Sequence, residues 1–81
     1  MTRDEIRSAF IDELTRIGPD IDWDSLSDED HLQDDLDLDS MDILNLVTAI
    51  QKRLGVSVPE VDYSRLATTG KAVEYLAGRL E

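Results

Sequence analysis

Apolar residues recur along this chain at helical spacing in three separate stretches. Ile6, Ala9, Phe10, Leu14 and Ile17 share one face, which predicts a helix through about residue 17. Thr2 and Glu5 have the spacing of a capping box at its start, and Gly18-Pro19 stops it. Ile43, Leu46, Val47, Ile50 and Leu54 form a second stripe, which predicts a helix from about Ser40 to Leu54. Asp39 is its expected N-cap, Asp42 stands where a carboxylate reaches back to free N–H groups, and Gly55 ends it. A third helix follows Thr68 or Thr69 as cap, with Ala72, Val73, Tyr75, Leu76 and Leu80 available for packing. Before it, Val56-Ser57-Val58 reads as extended. Pro59 then suits the opening of a short helix over Glu60 to Leu66, which Val61 and Tyr63 weaken.

Residues 18–39 form a long connection without a sustained period. Ile21, Trp23, Leu26, Leu32, Leu36 and Leu38 recur through it and are expected to pin it to the bundle. A short helical turn is expected around Asp28 to Leu32 with Ser27 as cap, and Trp23 reads as a packing anchor. The expected fold is all-α: a small bundle of three main helices plus one short helix, with a long loop between helices 1 and 2. Residues 1–81 are expected to form a single domain with a modest core.

The second helix carries more apolar surface than folding needs. Met41, Leu44 and Thr48 fall on a second stripe, well away from the core-facing one. Two readings stay open for Met41 and Leu44: contact with a partner, or cover by the preceding loop. Ser40 stands beside them in the first turn, with its hydroxyl expected near the surface.

Charge sharpens that picture. The net charge is −11, and eleven of the nineteen acidic residues lie between Ile17 and Gln51, a span without Lys or Arg. The remaining eight acidic residues match eight Lys and Arg, so the excess belongs to the loop and the Ser40 junction. Such a concentration argues against nucleic acid and anionic membrane as partners, since both need positive charge. A basic protein patch is its natural complement, and a merely solvated loop is the plainer alternative. No apolar run is long enough for membrane insertion, and MTRDEIRSAF lacks the apolar core of a signal peptide. A cytoplasmic monomer is expected.

Several chemistries are missing. With no Cys there is no thiol nucleophile, thiolate metal site or disulfide. Ser40 has no base to activate it: His31 is the only His, and nothing resembles a Gly-x-Ser-x-Gly elbow. Asp20-x-Asp22-x-Asp24 and Asp35-x-Asp37-x-Asp39 alternate carboxylates, yet neither places Gly sixth and Glu twelfth as a calcium loop does. No metal and no catalytic residue is expected. That leaves Ser40 as an acceptor of modification by another enzyme.

Leu38-Asp39-Ser40-Met41-Asp42 resembles the modification motif of acyl carrier proteins, which usually has Leu at the place of Met41. The run from Leu66 to Leu76 resembles that family's last helix and its approach, and the similarity covers nearly the whole chain. The resemblance implies a carrier with no activity of its own, holding acyl thioesters on a 4′-phosphopantetheine arm attached to Ser40. It implies a phosphopantetheinyl transferase, and acyl-loading and acyl-processing enzymes with basic docking patches, in fatty-acid, lipid or polyketide-type synthesis. Asp39, Met41, Asp42 and Leu44 are the expected partner contacts, with Asp34, Asp35 and Asp37 adding charge. Ile43, Leu46, Val47, Ile50, Val58, Leu66 and Tyr75 are expected to line an acyl cavity, each being first a core residue. The common motif has Gly where this chain has Asp37; Gly permits backbone angles that Asp adopts only at some cost, so the local turn is expected to differ. Members serving bulk fatty-acid synthesis carry acidic residues along the second helix, where this chain has Asn45, Gln51, Lys52 and Arg53. That difference points to a specialised carrier. An aminoacyl or peptidyl carrier, and an unmodified acidic helical adaptor, are the alternatives.

Overall fold

The computed structural model describes residues 1–80. Helix α1 spans Arg3–Ile17, α2 spans Ser40–Leu54 and α3 spans Thr69–Leu80. Two 3-10 helices, Trp23–Ser25 and Glu60–Leu66, complete the all-helical architecture. The ends of the helices are set locally. Thr2 and Glu5 close the capping box of α1, and Gly18 N–H returns to the Leu14 carbonyl at 2.9 Å. Gly55 ends α2 in the left-handed region at φ +67°, a conformation that Gly enters without steric cost. Thr68 is the cap of α3: its hydroxyl accepts from Lys71 N–H at 3.1 Å, while Thr69 is the first helical residue and is buried.

Packing follows the apolar stripes. Ile6, Phe10 and Leu14 of α1 meet Leu46, Val47 and Ile50 of α2 and Ala72, Val73, Leu76 and Ala77 of α3 in one buried cluster. Helix α1 packs on both α2 and α3, and the Glu60–Leu66 helix packs on α3 through Leu66. Each large side chain in this cluster contributes roughly 1.5–3 kcal/mol by leaving water. At the far end of α2, Arg53 donates to Asp12 and to Glu13 (2.9 Å) of α1, so that the nearly buried Glu13 carboxylate is compensated. The Gln51 side chain accepts from Val58 N–H at 2.8 Å and holds the extended segment against α2.

The long connection is stitched to the rest of the molecule by its backbone. Leu32 N–H donates to the Ala67 carbonyl and Gly70 N–H to the Asp28 carbonyl, both at 2.9 Å, and His31 pairs with Thr68 as an isolated antiparallel bridge. A side chain at Gly70 would stand 3.1 Å from the Asp28 carbonyl oxygen, so Gly is what permits this approach. Arg7 adds an ion pair to Asp28 at 2.8 Å. The expected helical turn at Asp28 to Leu32 is not formed. Ser27 and Asp30 close a tight turn instead, and the backbone that would have made the helix bonds to residues 67–70. The short helix lies earlier, at Trp23–Ser25, capped by the Asp22 carboxylate. Trp23 is half-buried, packs on the core and donates its indole N–H to the Gly18 carbonyl at 2.8 Å. The Glu60–Leu66 helix forms where expected, as the tighter 3-10 form, in keeping with its β-branched and aromatic residues.

Candidate functional site

Ser40 is the first residue of α2, and it is exposed. The start of the helix is fixed from both sides. The Asp39 carboxylate accepts from Asp42 N–H at 2.9 Å, and the Asp42 carboxylate accepts from Asp39 N–H at 3.2 Å. Two acidic residues beside Ser40 therefore serve as the capping box of the helix. Asp35 likewise accepts from His31 N–H at 2.7 Å. Asp37, at the place the Gly occupies in the common motif, has φ +58°, the one positive φ outside Gly among the described residues. It stands exposed between half-buried Leu36 and buried Leu38, and it turns the chain so that both leucines reach the core.

Ser40 borders a cleft of about 320 Å³ between α2 and the Glu60–Leu66 helix. Leu32, Gln33, Ile43, Tyr63, Ser64, Leu66 and Ala67 complete its walls. Of the residues expected to line a cavity, the structure places Ile43 and Leu66 on this cleft. Leu46, Val47, Ile50 and Val58 lie buried in the core and do not border it. Tyr75 is on a different groove, about 710 Å³, with Ser64, Arg65, Gly70, Lys71 and Glu74. Its hydroxyl donates to Asp62 at 2.6 Å, tying α3 to the 3-10 helix, and Arg79 lies over its ring. Burial and the Asp62 carboxylate both raise the pKa of that phenol. Leu32 and Gln33 escaped the sequence reading because loop residues reach this cleft only through the backbone pairing of the loop with residues 67–70, and Tyr63, Ser64 and Ala67 because no spacing in the chain shows which side of the short helix faces α2.

The surface around Ser40 is apolar and acidic together. Met41 is 62% exposed and Leu44 42% exposed, so the preceding loop does not cover them. Val61 of the 3-10 helix is 86% exposed. Asp34, Asp35, Asp37 and Asp39 are exposed as well. Among the described residues no three His, Asp or Glu side chains converge as a metal site would require, and no helix is long and apolar enough to cross a membrane.

Residues 4–76 match the family described as "Phosphopantetheine attachment site". The chain is 36% identical over 76 residues to an acyl carrier protein of Lactobacillus johnsonii, covering 94% of each chain. It is 34% identical over 74 residues to an acyl carrier protein of Picosynechococcus, covering 91% of this chain and 85% of that one. Its fold matches the solved acyl carrier protein of Enterococcus faecalis with a TM-score of 0.77 at 27% identity, over 98% of this chain and 99% of that one. The chain belongs to the acyl carrier protein family, whose members are built around a phosphopantetheine attachment site. Its cofactor is 4′-phosphopantetheine, its role is acyl carriage, and its family works through a phosphopantetheinyl transferase and partner enzymes. The residues at the start of α2 fit such an arm: an exposed hydroxyl on a helix N-terminus, where free N–H groups favour a phosphate, opening onto a partly apolar cleft.

Proposed function

We propose that Ser40 is the attachment point of the arm and that residues 1–81 act as one carrier domain with no catalysis of their own. The observation that carries this reading is the placement of Ser40: exposed, at a capped helix start, beside the cleft. When bound, the group supplies the thiol that this Cys-free chain lacks, on which acyl cargo is held as a thioester. Asp39 and Asp42 repel the phosphate while the helix N-terminus attracts it, so the arm is held outward and not gripped. Ile43 and Leu66 meet cargo that folds back into the cleft, with Leu46, Val47 and Ile50 behind them.

Partner enzymes read the surface formed by Met41 and Leu44 with Asp34, Asp35, Asp37, Asp39 and Asp42. The apolar pair supplies contact area, and the carboxylates steer a basic docking patch toward Ser40. Asp34 and Asp37 suit a test of steering better than Asp39 and Asp42, whose loss also uncaps α2. The absence of acidic residues from the far half of α2 supports a carrier dedicated to one pathway of lipid or polyketide-type synthesis, working in the cytoplasm as a monomer.

Intact mass after incubation with coenzyme A and a promiscuous phosphopantetheinyl transferase, beside Ser40→Ala, tests the attachment point. A gain of one phosphopantetheine in the wild type alone is expected. A gain in both proteins would move the site elsewhere. No gain in folded wild type, with that transferase and with one from the source organism, would overturn the carrier reading.

A further inference from the structure

The outward face of α2 is graded in charge. Met41, Leu44, Asn45, Thr48 and Lys52 fall within one arc of about 100° and are all exposed. The Ser40 end carries the acidic cluster. The middle is apolar to neutral, and the Thr48 hydroxyl is turned back onto the Leu44 carbonyl at 3.0 Å. The far end carries Lys52. Its neighbours on that end are already engaged: Gln51 holds Val58, and Arg53 holds Asp12 and Glu13. Arg16 of α1 also pairs with Asp12 and Glu13. Lys52 forms no ion pair among the described residues, so it is the cation this face presents. Twelve residues of helix separate it from Ser40, about 18 Å. That span is about twice the screening length of roughly 8 Å at physiological salt. A docking protein therefore meets two local potentials of opposite sign, not one net negative helix.

We propose that the loading enzyme dedicated to this carrier docks along α2 with a basic patch at the Ser40 end, an apolar pocket for Met41 and Leu44, and a carboxylate opposite Lys52. The inference rests on the Ser40 reading above and adds a specificity residue to it. A partner whose patch is basic along the whole helix meets Lys52 as a like charge. Placing like charges against each other is how an interface rejects the wrong partner. Lys52 thus both recruits the dedicated enzyme and turns away the general one.

The test uses carrier first converted to the phosphopantetheinyl form and verified by intact mass. Failure to load the arm counts against the Ser40 reading and is seen before docking is measured. Thioester formation is then followed by mass with two enzymes at low and physiological salt: a malonyl transferase of general fatty-acid synthesis, and the acyl-loading activity fractionated from the source organism on this carrier. Lys52→Glu should raise kcat/KM about tenfold with the general enzyme and lower it about tenfold with the dedicated one. Lys52→Gln should fall between, Lys52→Arg should behave as wild type, and added salt should shrink every difference. No change, or a change of the same sign with both enzymes, would overturn the proposal. Lys52 is exposed and Glu is as good a helix former, so circular dichroism should show an unchanged fold.

Discussion

Asp37 offers a measurement in which the sign of one difference decides the backbone conformation of the loop before Ser40. At φ +58° an L-residue bears a steric cost of about 1–2 kcal/mol. Gly carries no such cost, although it gives up about 0.5–1 kcal/mol through the entropy of its unfolded chain. Two variants, Asp37→Gly and Asp37→Ala, remove the same carboxylate, so the relief of acidic repulsion cancels between them. At an ordinary position Ala exceeds Gly by about 0.4–1 kcal/mol. At Asp37 the order should invert, with the Gly variant about 1 kcal/mol more stable than the Ala variant. Urea unfolding followed by circular dichroism reads this directly. With a slope of about 1 kcal/mol per M for a chain of this size, the two midpoints should differ by about 1 M. The Gly variant should also match or exceed the wild type. An Ala variant as stable as the Gly variant would refute the left-handed assignment. It would also remove the account of how Leu36 and Leu38 both reach the core from either side of an exposed residue.

Two further changes probe the bundle itself. Thr69 is fully buried, and its hydroxyl has no hydrogen-bond partner among the described residues, so Thr69→Val keeps shape and branching while removing an unpaired polar atom. Its urea midpoint should rise by the equivalent of about 1 kcal/mol, and a fall would show that the hydroxyl is bonded in solution. The Arg53 guanidinium holds the Asp12 carboxyl below its usual pKa. Stability from that pair is present above the unfolded carboxylate value, near pH 4, and is lost as pH falls through the lower folded value. Arg53→Gln should be less stable than wild type at pH 6, with the difference shrinking below about pH 4. A difference that holds constant to pH 2.5 would show that the pair contributes nothing through Asp12.

What was legible in the chain was what local patterns determine. Ile43, Leu46, Val47, Ile50 and Leu54 define the inward side of α2 by spacing alone, and Thr2, Glu5, Asp39 and Asp42 define two helix starts by type and offset. The positive φ at Asp37 was not legible: a residue other than Gly at that place suggested a different turn, and the chain instead puts Asp in the left-handed region that Gly enters freely. Loop residues were not legible to the same degree. The spacing of Ser27 and Asp30 suits a helix start as well as a tight turn, and the choice between them was made about forty residues away. Once Leu32 and Gly70 bond across to Ala67 and Asp28, the N–H of Leu32 and the carbonyl of Asp28, which would close a helical turn on each other, are both taken. The walls of the cleft follow from the same pairing, which brings Leu32 and Gln33 toward Ser40. Long-range pairing of this kind leaves no periodic trace in either partner, apart from the bare Gly70 that lets them meet.

The same pairing explains how so acidic a loop coexists with a small core. Eleven carboxylates without an intervening cation repel one another, and that repulsion opposes the compact state. The loop does not resist it with cations of its own. Backbone bonds to residues 67–70 and the reach of Arg7 from α1 hold its middle, while Leu32 and Leu38 are buried beneath it. Asp22, Asp30, Asp35, Asp39 and Asp42 accept backbone N–H groups that would otherwise lack partners, so part of the charge also does the work of turn and cap. The charge proposed above for recognition is thereby placed where it also closes the chain. Helix α2 divides its residues in the same way. Its inner stripe is given to the core, its first turn to the cap, and Gln51 and Arg53 to neighbouring segments. The outward face is left with a short list of exposed residues, Met41, Leu44, Asn45, Thr48 and Lys52, and only Lys52 among these carries charge. If Lys52 sets specificity as proposed, a substitution there would change which enzyme docks while leaving the bundle intact, and selection for a new partner could act on that residue without first endangering the fold.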